Sequence, residues 1–175
     1  MKNQALDMFI TEAKELWGPY SPKTLLKYRH LIEVFAKDPA TTSWLTTLLR
    51  DSPEGRELYR DPEYGFILLA YSENRARYRA PHDHGRGWVV YSVVVGEVEM
   101  KTYRRVDDPH ESTALAWHEA YAMKPGDCQA YAPGDIHDTY GIAETSIILR
   151  FTSCDLREED RQGRITRYPG FNPRG

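Results

Sequence analysis

The sequence predicts a mainly β domain, a barrel or sandwich of short strands behind a helical N-terminal segment, and three observations predict it. Before position 50 the apolar residues recur at three- and four-residue steps, the helical period. From Tyr64 onward, runs rich in β-branched and aromatic residues take over, and Trp88 to Val95 (WVVYSVVV) is the densest of them. Turn clusters such as Lys124-Pro125-Gly126-Asp127 and Ala132-Pro133-Gly134-Asp135 punctuate those runs.

In chain order, Leu6, Phe9, Ile10, Ala13, Leu16 and Trp17 form one apolar stripe, which Gly18-Pro19 stops. Ser21-Pro22 reads as a cap followed by proline at the first helical position, and Leu25, Tyr28, Ile32 and Phe35 continue the period. Asp38-Pro39 repeats the start signal before Trp44, Leu45, Leu48 and Leu49. Such stripes usually mean packing against the rest of a domain rather than a partner-binding face. Strand candidates follow at Phe66 to Tyr71, Trp88 to Val95, Glu97 to Tyr103, Thr113 to Met123, Cys128 to Ala132 and Ser146 to Phe151. The expected organisation is one structural domain: a helical segment over 1–60, a β-barrel over 61–157 and a polar tail over 158–175 that wraps the surface.

Composition narrows the function classes. A formal charge of −3 over 175 residues argues against a general nucleic-acid binder. Two cysteines, Cys128 and Cys154, are too few for a disulfide framework, so reduced thiols and a cytoplasmic location are expected. The first residues are mixed polar and apolar rather than a signal core, and the longest apolar run is far short of a membrane span. A hydrophobic fraction of 41% is ordinary for a globular chain.

Chemistry enters with the histidines. Pro81-His82-Asp83-His84-Gly85 precedes the most strand-like segment, and residues two apart in an extended chain share a face. His82 and His84 therefore present two imidazoles to one ion, while Asp83 points the other way, to solvent or to the groups around the ligands. His137 follows the Pro133-Gly134-Asp135-Ile136 turn, which can fold a third imidazole toward the first two. His30, His110 and His118 read as ordinary polar residues. Cys128, Trp88 and Trp117 read as core.

Pro81 to Gly96, with its paired histidines and a glycine twelve residues after the second, resembles the first motif of the cupins. Gly126-Asp127 through Pro133-Gly134-Asp135-Ile136-His137 resembles the second. The resemblance implies a cupin double-stranded β-helix, a jelly-roll-like barrel, with a metal on His82, His84 and His137. Many cupins add a glutamate five residues after the second histidine; here that position is Val89. Three neutral imidazoles leave an open coordination position and an uncompensated charge near +2, which favours an anionic substrate. Imidazole ligands suit iron, zinc, nickel or copper alike.

The three-histidine pattern, the helical N-terminus and the Asp61-Pro62-Glu63-Tyr64-Gly65-Phe66 lead-in resemble the bacterial thiol dioxygenase branch, which is cysteine dioxygenase-like. The implied activity is oxidation of a small anionic thiol with O2 on Fe(II). The implied anchor for the substrate carboxylate is Arg56 or Arg60; an exposed charge at that place is the plainer reading of either. The family's serine, histidine and tyrosine relay is absent from Ser146 to Phe151, where Leu149 and Phe151 are expected at the last two positions. Tyr140 is the candidate phenol in its place. The competing readings are a non-catalytic metal-binding cupin sensing a small ligand and a zinc or nickel isomerase or hydrolase. Cupins commonly pair through sheet edges, so a homodimer is the assembly to expect if one forms.

Overall fold

A computed structural model describes residues 4–50, 55–106 and 114–171 of the chain. Three helices come first: α1 (Gln4–Glu15), α2 (Pro22–Lys37) and α3 (Pro39–Leu49). The Ser21 hydroxyl accepts from the Thr24 amide at 3.0 Å, and Asp38 caps α3 through the Ala40 amide at 2.8 Å, each just before a proline. Helix gives way to strand before residue 60, because Arg56–Arg60 is β1.

Eight further strands follow: β2 (Ile67–Asn74), β3 (Tyr78–His82), β4 (Val89–Val95), β5 (Val98–Arg105), β6 (Leu115–Met123), β7 (Cys128–Tyr131), β8 (Ile136–Gly141) and β9 (Thr145–Thr152); a short helix, α4 (Leu156–Arg161), closes the sequence of elements. One sheet runs β1-β2-β9-β4-β7 and the other β3-β8-β5-β6, with antiparallel pairing throughout. Consecutive strands from β2 to β5 alternate between the sheets, and β6 to β9 return antiparallel beside them. That winding is the double-stranded β-helix of the cupins, reached here from strand order alone.

Alternation along β4 explains its unbroken apolar run. Val90 and Val94 face the helices, where they meet Phe9, Tyr28 and Ile32; Val89, Tyr91 and Val93 face the barrel interior with Met100 and Ile148. A strand buried on both faces has no polar side to show. Along β9, Leu149 and Phe151 face the helices, and Ile148 belongs to the interior. Strand parity thus corrects the expectation that Leu149 and Phe151 stand at the site: the inward residue between them is Arg150. Two strands had no sequence signal, β1 and the proline-containing β3. Trp117, expected in the core, is 63% exposed, because β6 lies at a sheet edge with β5 as its partner.

Among the described residues no helix is long and apolar enough to cross a membrane.

Candidate metal centre

His82 ends β3 and His137 lies in β8, and the two are cross-strand register partners. His84 lies two residues beyond the end of β3, where the chain turns toward β4. Gly85, with φ +62°, makes that turn, and a side chain there would meet the Glu159 carboxylate at 2.8 Å. The three imidazoles converge as the sequence spacing predicts: each offers one nitrogen, and those atoms lie within 4.8 Å of one another.

The residues fit a divalent ion. The His82 Nδ1 faces the Ala80 carbonyl at 2.9 Å, and the His137 Nδ1 faces the Asp138 carbonyl at 3.2 Å. Each carbonyl draws the ring proton to Nδ1 and leaves Nε2 bare, which is the arrangement metal-bound histidines use. The Nε2 atoms of His84 and His137 stand 3.3 Å apart. Two bonds of about 2.1 Å at a tetrahedral angle require a nitrogen separation of about 3.4 Å, close to that distance. Burial, above all, pushes all three imidazoles below their usual range, and the Arg150 guanidinium adds to the effect. The rings are neutral at physiological pH, the form that ligates.

Around the triad the interior is aromatic and apolar. Val89 occupies the position of the usual cupin carboxylate and is fully buried. Tyr131 stacks on His137 with ring centroids 4.2 Å apart, and the Tyr91 hydroxyl lies 3.3 Å from the His84 Nε2. Burial, above all, raises the Tyr91 and Tyr131 phenols, so both keep their hydroxyl protons.

A cavity of about 490 Å³ opens beside His82, lined by Tyr71, Tyr91, Arg79, Arg150 and Thr139 among others. Arg79 is neutralised by Glu73 at 2.6 Å and lies over the Tyr71 ring at 5.3 Å. Arg150 differs. Its Nε is buried without a hydrogen-bond partner, and among the described residues no carboxylate lies in ion-pair reach of it. Tyr91 is its register partner on β4 and Leu69 on β2, so it points into the cavity from the middle of the sheet.

The two expected anchors differ in place. Arg60 lines the cavity, but its guanidinium is held by Glu57 at 2.7 Å and Asp155 at 2.9 Å. Arg56 is exposed and is not part of the cavity wall. Tyr140 takes the opposite parity to His137 and Thr139 on β8 and is likewise outside the wall, so strand alternation turns this phenol away from the triad. Sequence reasoning missed Arg150, although a single cation inside the apolar run Ser146 to Phe151 was a usable signal.

Of the other histidines, His30 is exposed on α2 and His118 is exposed on β6 beside Arg104 at 3.2 Å. His110 lies outside the described residues. Cys128 packs in the core, where burial raises its thiol to about 11.

Strand order and triad together define the class: a cupin-fold barrel with a candidate metal centre of three histidines. Solved structures with related folds include KdgF from Halomonas sp. (16% identity over 56% of this chain and 74% of that one, TM-score 0.45). They also include the Cnp3 cupin domain of Schizosaccharomyces pombe (12% identity, 68% and 69%, TM-score 0.46) and a cupin superfamily protein of Desulfitobacterium hafniense (16%, 58% and 76%, TM-score 0.43). By sequence, no protein-family model and no curated protein matches the chain.

Proposed function

We propose that this chain is a mononuclear non-heme iron dioxygenase that oxidises a small anionic thiol with O2. The observation that carries the reading is a carboxylate-free histidine triad beside a cavity that reaches His82 and that also holds Arg150, a half-buried arginine with no carboxylate partner among the described residues. Three neutral ligands leave the full charge of a divalent ion in place, and Arg150 adds a second positive centre. A substrate with two anionic ends, a thiolate and a carboxylate or similar group, answers both.

The reaction balances without an external reductant: a thiolate and O2 give a sulfinate, with both oxygen atoms on sulfur and four electrons passing from sulfur to oxygen. A bound ferrous ion would supply a Lewis-acid anchor for the thiolate and the one-electron chemistry that ground-state O2 requires. The remaining work falls to the chain. His82, His84 and His137 would hold the ion; Arg150 takes the anionic end of the substrate in Arg60's stead, since Arg60 is already paired. The Tyr91 hydroxyl offers a hydrogen bond at the mouth of the triad, in the role first expected of Tyr140. Val89, Val93 and Met100 exclude water from the interior.

Isomerase or hydrolase chemistry on zinc or nickel needs a free base, and the carboxylates on the cavity wall, Glu57 and Asp155, are both committed to Arg60. The test is oxygen uptake by anaerobically iron-loaded protein with a panel of small thiols. One O2 consumed per sulfinate formed is the expected result. Loaded protein that leaves every thiol untouched would end the proposal.

A further inference from the structure

After β9 the chain forms α4 and then crosses back over the barrel mouth, where residues 164–171 meet the segment that carries two of the three ligands. The backbones pair directly. Asp83 N–H donates to the Thr166 carbonyl at 3.1 Å, Tyr168 N–H donates to the Pro81 carbonyl at 2.9 Å, and His82 and Arg167 form an antiparallel bridge. β3 is an edge strand whose one neighbour in its sheet is β8, so this crossing covers its open edge.

Asp83, between the two ligands, is the hub. It is 3% exposed, and its carboxylate accepts from the Gly85 amide at 3.0 Å, the Thr166 amide at 2.9 Å and the Arg105 guanidinium at 2.7 Å. Arg105 donates in turn to the Tyr168 hydroxyl at 2.7 Å. A second tie runs through Glu159, which accepts from the Arg86 amide at 3.1 Å and from Arg164 at 2.9 Å. The same C-terminal stretch supplies Leu156, Arg157, Arg167 and Pro169 to the cavity wall.

His82 and His84 are thus held in place by a segment that also closes the cavity. We propose that metal binding at the triad and docking of residues 164–171 are one coupled equilibrium, with Asp83 as the positioning residue that joins them. An ion that fixes His82 and His84 fixes the Asp83 backbone and carboxylate between them, and through these the Thr166 and Tyr168 contacts. By reciprocity, a docked segment tightens the ion by the same factor. Loading then shifts residues 164–171 further toward the docked form.

This rests on the metal reading, and cobalt(II), whose visible spectrum reports binding directly, separates the two. The test is hydrogen–deuterium exchange of the 164–171 amides in apo and cobalt-loaded protein, with His137→Ala as control, because His137 lies in β8 and supplies none of the contacts to the segment described above. Loading is expected to slow exchange there at least tenfold in the native chain and to leave His137→Ala unchanged. Asp83→Asn keeps an acceptor for the two amides and loses the Arg105 pair; Asp83→Ala loses all three. Their cobalt affinities are expected to fall about tenfold and about a hundredfold, the range for groups that orient metal ligands. Bound cobalt with unchanged exchange at 164–171, or native affinity in Asp83→Ala, overturns the coupling. No cobalt spectrum in the native chain overturns the metal reading and the coupling with it.

Discussion

Arg150 and the three histidines do separable work, and single substitutions distinguish them. His84→Ala and His137→Ala each remove a nitrogen that no neighbouring carboxylate can replace, because Val89 stands where one would be. Both variants should purify without stoichiometric metal, which elemental analysis reads. Arg150→Met should keep its metal and raise KM for an anionic thiol roughly a hundredfold, the scale of about 3 kcal/mol seen when a buried charged partner is removed. Arg150→Lys should recover part of that loss, since it restores charge without the planar fork. Equal losses in metal content and KM would show that Arg150 serves the fold rather than the substrate.

Between elements, the largest apolar contact joins the helices to the first sheet. Phe151 is fully buried there, edge-on to Phe9, Tyr28, Phe66 and Trp88. Phe151→Ala should lower unfolding stability by about 3–5 kcal/mol in denaturant titration. The tie between α4 and the ligand loop carries a pH signature. The Arg164 bond, ahead of the opposing effect of burial, holds the Glu159 carboxyl at about 2 against 4.5 in the unfolded chain. Its contribution is therefore complete above about 4.5 and is lost as pH falls toward 2. The stability gap between native chain and Glu159→Gln should be constant near neutrality and close across that acid range. At this scale the helices, the β4 run and the turns were legible, because each wears its period or its punctuation openly. β3 was not, since Tyr78-Arg79-Ala80-Pro81-His82 has neither alternation nor β-branched residues, and its edge position is what tolerates the proline. The face of β9 was not legible either. Ser146 to Phe151 carries apolar residues on both sides, with Arg150 the one mark of the inward face, and the helical layer that claims Leu149 and Phe151 comes from the far end of the chain.

For the molecule as a whole, charge distribution matters more than net charge. The chain totals −3, yet the cavity wall gathers five arginines: Arg60 is held by Glu57 and Asp155, Arg79 by Glu73 and Arg167 by Asp160, while Arg150 and Arg157 have no carboxylate partner among the described residues. A positive cleft on a negative body draws small anions toward the triad. KM for an anionic thiol should rise with ionic strength, while an uncharged thiol of similar size should show no such dependence. The winding of strands is what makes one centre from two distant stretches: β3 and β8 lie side by side and bring His82 against His137. Anaerobic ferrous titration of the native chain beside His137→Ala tests that convergence most directly. One ion per native chain and none in the variant is the expected result, and equal uptake by the two proteins would contradict it.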